Sequence, residues 1–164
     1  MSIKNKIQQG VTLIEAMIAL LVISVGLLGI ASLQITAMSQ NASSLNHSQA
    51  VWYAYNMSDR IRANTAAQFN NYNGIDTSIG YTQDCMTLNC SDAQMVVADA
   101  ADWETMVETL PAGQGIITSS PDALLGTVLQ VTVMWDDEGT GAAGTNCGPD
   151  PTVDLTCYIL TVAP

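Results

Sequence analysis

The chain of 164 residues has few bases: four Lys and Arg stand against 15 Asp and Glu, for a net charge of −11. Two of the four, Lys4 and Lys6, precede a long apolar run, so Arg60 and Arg62 are the only bases in the rest of the chain. A body this acidic repels phosphate backbones, which excludes nucleic acid as an expected partner. Histidine is nearly absent too. His47 is the single one, and with no G-x-S-x-G string and no phosphate-cradling glycine motif no catalytic set can be assembled. No enzymatic activity and no cofactor is expected. Asp136-Asp137-Glu138-Gly139 lacks the alternating oxygen ligands of a calcium loop and reads as a solvated turn. His47 reads as a solvated residue or one packed against a neighbouring molecule, and Arg60 and Arg62 as salt-bridge partners of the acidic domain or a neighbour.

Charge of either sign is missing altogether from residues 16 to 58, a run of 43. Within it, Ala16 to Leu33 (AMIALLVISVGLLGIASL) is long enough to cross a bilayer as a helix. Glu15 stands at its mouth. An acid at the membrane centre costs roughly 2.5–3.5 kcal/mol, and less toward the edge, unless something neutralises it. Lys4 and Lys6 ahead of the run set a cytoplasmic N-terminus, with everything after about residue 36 exported.

Cysteines are four, Cys85, Cys90, Cys147 and Cys157, all in the exported part. An even count in an oxidising compartment reads as two disulfides, and the spacings fit no common zinc pattern, so no metal is expected. Three connectivities are possible; proximity in sequence favours Cys85–Cys90 and Cys147–Cys157.

Helical periodicity continues beyond the apolar run. Met38, Ala42 and Leu45 form one set and Ala50, Ala54, Met57 and Ile61 another, with a slip in phase across Asn46-His47-Ser48. A helix from about 12 to 64 would be roughly 80 Å long. Gly26, Gly29 and Ser32 lower helix propensity within the span; they fit a local loss of helicity or close helix packing equally well. Residues 65–90 show no period and read as a connecting loop. Ser91-Asp92-Ala93-Gln94 is a capping-box pattern, followed by Val96, Ala100, Trp103, Val107 and Leu110 at helical spacing and ended by Pro111 and Gly113. Strands are expected at Gly115 to Ser119, at Thr127 to Asp136 with Leu129, Val131, Val133 and Trp135 on one face, and at Leu155 to Ala163, apolar on both faces. Residues 137–153 form a long surface loop, the expected place for partner contacts.

The N-terminus carries a resemblance. Gly10 followed by Val11-Thr12-Leu13-Ile14-Glu15 and about twenty apolar residues resembles the class III signal of type IV prepilins and pseudopilins. The longer string LIEAMIALLVISVGLLGIASLQ is most similar to PilV-type minor pilins, as is the later order of a cysteine pair, a Trp-bearing helix, Leu-Pro-Ala-Gly and a strand ending Val-Met-Trp-Asp. Val11 stands where many pilins have phenylalanine.

The resemblance implies an α+β, type IV pilin-like fold: a long N-terminal helix, membrane-spanning in its first half, packed on a small antiparallel sheet with two disulfides. It implies a leader at residues 1–10, cut by a prepilin peptidase between Gly10 and Val11 with N-methylation of Val11. It also implies a membrane and filament-core half at 11–36 and an exported globular domain at 37–164. Removal of the leader leaves two bases, 15 acids and a net charge of −13 before the new amine is counted. Glu15 would pair with the N-terminal amine of a neighbouring subunit. The expected partners are other minor pilins, the major pilin and the inner-membrane assembly platform. The expected location is the bacterial inner membrane, single-pass with a periplasmic domain, and then the pilus. The implied function is that of a minor subunit that primes or assembles a type IV pilus used in motility or adhesion. The alternatives are a type II secretion pseudopilin and a tip adhesin acting through the 137–153 loop. Outside the family stand an ordinary signal peptide cut after Gly29-Ile30-Ala31 and a plain single-span anchor.

Overall fold

A computed structural model describes residues 12–64 and 69–163. The uncharged N-terminal run and the stripe that follows it form one helix, α1, Leu13–Ala63. It is unbroken at Gly26, Gly29 and Ser32 and again across Asn46-His47-Ser48. Glu15 lies in its first turn and Arg60 and Arg62 in its last, each sign at the end where the helix dipole favours it. The chain divides into two compact units, one ending at Ala42 and the other Ser43–Pro164.

In the first unit the large apolar side chains from Leu13 to Met38 are each 54–78% exposed. The hydroxyls of Ser24 and Thr36 donate back to the carbonyls of Leu21 (2.8 Å) and Ser32 (3.1 Å), which spares both donors in a medium without water.

In the second unit, the slip in helical phase marks a change of surroundings. Leu45, in the earlier set, is exposed, whereas Ala50, Ala54, Met57 and Ile61 are buried. They join Tyr53 in a core with Val96, Trp103 and Val107 of α2 (Asp92–Val107) and the inward face of a sheet. The expected capping box starts α2: Gln94 N–H bonds to Ser91 Oγ and Ser91 N–H to Gln94 Oε1. Regular helix stops at Val107, short of Leu110; a turn carries Leu110 into the core.

The sheet is an antiparallel meander of β1 (Gln114–Asp122), β2 (Gly126–Trp135) and β3 (Thr156–Val162), in that order. Leu129, Val131, Val133 and Trp135 face the helices, as the alternation requires. Met134 points to the other face and is covered by Ala142 and Leu155, with Ile116, Cys147 and Cys157 around them. β1 is longer than expected and reaches Asp122 through Pro121; it is an edge strand of the sheet, met on its outer side by residues 74–76 at Ile116 and Ile117, so the missing N–H of proline is tolerated. β3 carries apolar residues on both faces, as expected, but they are not equally covered: Val162 is buried and Ile159 is about half exposed. Gly115 lies directly under Trp103, where a Cβ would stand 2.5 Å from the indole Cη2.

Candidate functional site

Three features stand out: the exposed apolar half of α1 with its acid, the polar joint around Arg60 that ties α2 to α1, and the disulfide-bound loops. Glu15 is exposed in the first turn of α1, where its N–H bonds to the Thr12 carbonyl at 3.0 Å and, longer, to Thr12 Oγ1 at 3.4 Å. Gly10 and Val11 lie outside the described residues. Among the described residues, one helix is long and apolar enough to cross a membrane, and the stretch that qualifies is entirely unburied. An apolar surface of this length needs lipid or other protein to cover it.

The polar joint centres on Arg60. Its Nη1 lies 3.0 Å from both Asp99 Oδ1 and Asp102 Oδ2, and its Nε donates to Asn56 Oδ1 at 2.9 Å. Asp99 is buried and its second oxygen accepts from the Tyr72 hydroxyl at 2.7 Å; Asn64 Nδ2 donates to that hydroxyl at 3.1 Å. Burial, reinforced by the bond to the Asp99 carboxylate, pushes the Tyr72 phenol far above its ordinary value, so it stays protonated as a donor. Burial works against the Arg60 cation, but the bonds to Asp102 and Asp99 outweigh it and raise its pKa. Trp103 adds a second tie between α2 and α1, its Nε1 donating to the Tyr53 carbonyl at 3.1 Å. Arg62 reaches only Asp59, at 4.0 Å on the exposed helix surface.

The sequence points to a salt bridge for Arg60 but does not by itself name Asp99 and Tyr72 as its partners in the joint. A signal was present: Asp99 falls on the apolar face of α2, three residues after Val96 and four before Trp103, where an acid requires a partner. Tyr72 and Ile75 sit in the core within what read as a plain connecting loop, and Asp76 bridges to Ile116 of β1.

The disulfides join Cys85 to Cys90 and Cys147 to Cys157. The first closes a small exposed loop beside the start of α2, and the second ties the 137–155 loop to β3. The turn at Asp136-Asp137-Glu138-Gly139 is not merely solvated. Asp136 is buried and accepts from the N–H groups of Thr140 and Gly141; Asp137 accepts from Trp135 Nε1 and Ser43 Oγ. These carboxylates therefore serve as loop anchors. His47 is exposed, as expected for a solvated residue, yet its ring also meets Trp135 and Tyr158 edge-on at 6.0 and 5.9 Å. Among the described residues no cluster of three or more His, Cys, Asp or Glu is arranged to hold a metal.

Compared with known families, residues 5–31 match the prokaryotic N-terminal methylation motif and residues 32–101 match the model of type IV pilin Tt1218. No curated protein matches the chain, and no solved structure does. The fold is that of the type IV pilin family, and the two matched segments, abutting at residue 31, give the chain its methylation motif and a Tt1218-like pilin segment.

Proposed function

We propose that the protein is a minor, PilV-like subunit of a type IV pilus, taking part in pilus assembly or priming and thereby in pilus-dependent motility or adhesion. A prepilin peptidase cuts between Gly10 and Val11, Val11 is N-methylated, and the subunit waits in the inner membrane with its domain in the periplasm. It then joins other minor pilins and the major pilin at the assembly platform. The observation that carries this reading is the first half of α1: apolar side chains exposed all along it, with Glu15 as the one charge. Lipid can cover the apolar surface but leaves the carboxylate unmatched; a neighbouring subunit that brings its own amine covers both.

Glu15→Ala tests this. The variant should insert in the membrane at the normal level and fall roughly tenfold or more in sheared filaments, the loss of a charge-assisted contact of about 1.5–3 kcal/mol. Undiminished incorporation would count against the pairing.

A further inference from the structure

The turn between β1 and β2 presents two leucines to solvent. Leu124 is 94% exposed and Leu125 56%. The presentation is built: Asp122 Oδ1 accepts from the N–H groups of both leucines, at 2.8 and 2.9 Å, and Gly126 closes the turn at φ 80°, a conformation open to glycine. A turn fixed in this way loses little conformational freedom when its side chains are buried by a partner.

The place of the turn in the domain matters. Trp135 and Asp137, at the far end of β2, sit beside His47 and Ser43, where the chain enters the domain. At the other end of the sheet Ser119 bonds to Asn73, close to Tyr72, which is held by Asn64 just past the end of α1. The turn thus lies at the pole opposite Ser43, separated from Trp135 by the length of β2, about 30 Å. The Cys85–Cys90 loop, which lies by Asn64 and Ala63 and carries the exposed Met86 and Leu88, is at the same end of α1.

Charge selects the occupant. Asp122 lies in the turn, and the only bases of the domain are Arg60, held by Asp99 and Asp102, and Arg62, beside Asp59. Anionic lipid and a second copy of this acidic chain are both repelled. We propose that Leu124 and Leu125 insert into an apolar pocket, rimmed by Lys or Arg, on a different protein subunit seated at this pole. The proposal rests on the reading of the chain as a filament subunit.

The test places a photo-reactive phenylalanine derivative at Leu124 of the full-length chain in its native host, and in parallel at exposed Thr118 on β1. Adducts are identified by mass spectrometry, and a Leu124→Ser, Leu125→Ser variant is assayed for incorporation into sheared filaments. The expected result is an adduct from position 124 to one other pilin subunit, at a surface bearing bases, in clear excess over position 118. The double variant should fall about tenfold or more in filaments, as expected for two leucines no longer buried, with its N-terminus and disulfides unaltered. Adducts to lipid or to a second copy, no excess over position 118, or undiminished incorporation of the variant would each overturn the proposal. If the variant fails to form its disulfides, the adducts alone decide. A trimmed chain that enters filaments without the adduct sinks only the docking proposal, whereas a chain that keeps residues 1–10 sinks the filament reading itself.

Discussion

Replacing Arg60 by methionine keeps the stem of the side chain over the α1–α2 seam and removes the cation. Asp99, whose side chain is 10% exposed, then retains only the Tyr72 hydroxyl, while Asp102, 68% exposed, returns to water. Removing one partner of a buried pair costs about 3–5 kcal/mol, and breaking an exposed pair about 0–1 kcal/mol. Arg60 is itself 27% exposed, so water partly compensates and the variant should lose about 2–3 kcal/mol. A double-mutant cycle separates the two acids. Arg60 should couple to Asp99 by about 2 kcal/mol in a cycle with Asp99→Asn, and to Asp102 by about 0.5 kcal/mol in a cycle with Asp102→Asn. Urea unfolding of the disulfide-intact chain in detergent, followed by tryptophan fluorescence, gives the numbers. Equal couplings at the two acids, or an Arg60→Met variant within 0.5 kcal/mol of the parent, would refute the claim that a buried pair joins α2 to α1.

Gly115→Ala should destabilise the domain by about 1–3 kcal/mol, because the added methyl forces Trp103 off its site against β1; the same unfolding assay reads it, and an unchanged midpoint would show that the indole can move aside freely. Acid should loosen the 137–155 loop through Asp136. The N–H of Gly141, followed by those of Thr140 and Gly139, holds the Asp136 carboxyl below its ordinary value of 3.8, against the opposing effect of burial. A depressed carboxyl stabilises the fold fully above the unfolded-chain pKa and loses that contribution as pH falls through its folded value. Protection of the Thr140 and Gly141 amides should therefore hold down to about pH 4 and fall below it, with Asp136→Asn abolishing the step. Asp84, Asp122 and Asp150 are depressed by their own local donors and act with the same sign, so global stability should keep a residual acid dependence in that variant.

Much of the fold was readable because its signals are local. The helix expected over about 12 to 64 and the helix found at Leu13–Ala63 agree because no proline interrupts the chain between the apolar run and the core stripe. The capping box at Ser91 and the alternation in β2 need no partner to be recognised. What escaped was fixed by tertiary contact. Tyr72 and Ile75 lie in a segment without period, and their burial depends on β1 and α2 arriving beside them. The end of β1 was set by Asp122 capping the next turn, not by Pro121. At the candidate site, Glu15 stood out in the sequence because a charge in an apolar field is conspicuous. Leu124 and Leu125 did not, since two leucines in a loop acquire meaning only when the structure leaves them uncovered.

The mass of the mature chain's N-terminal peptide tests the central claim most directly. A chain that begins at N-methylated Val11 is the expected result, since only trimming there supplies an amine for a neighbour's Glu15. A chain that begins at Ser32, or still carries Met1, would contradict it.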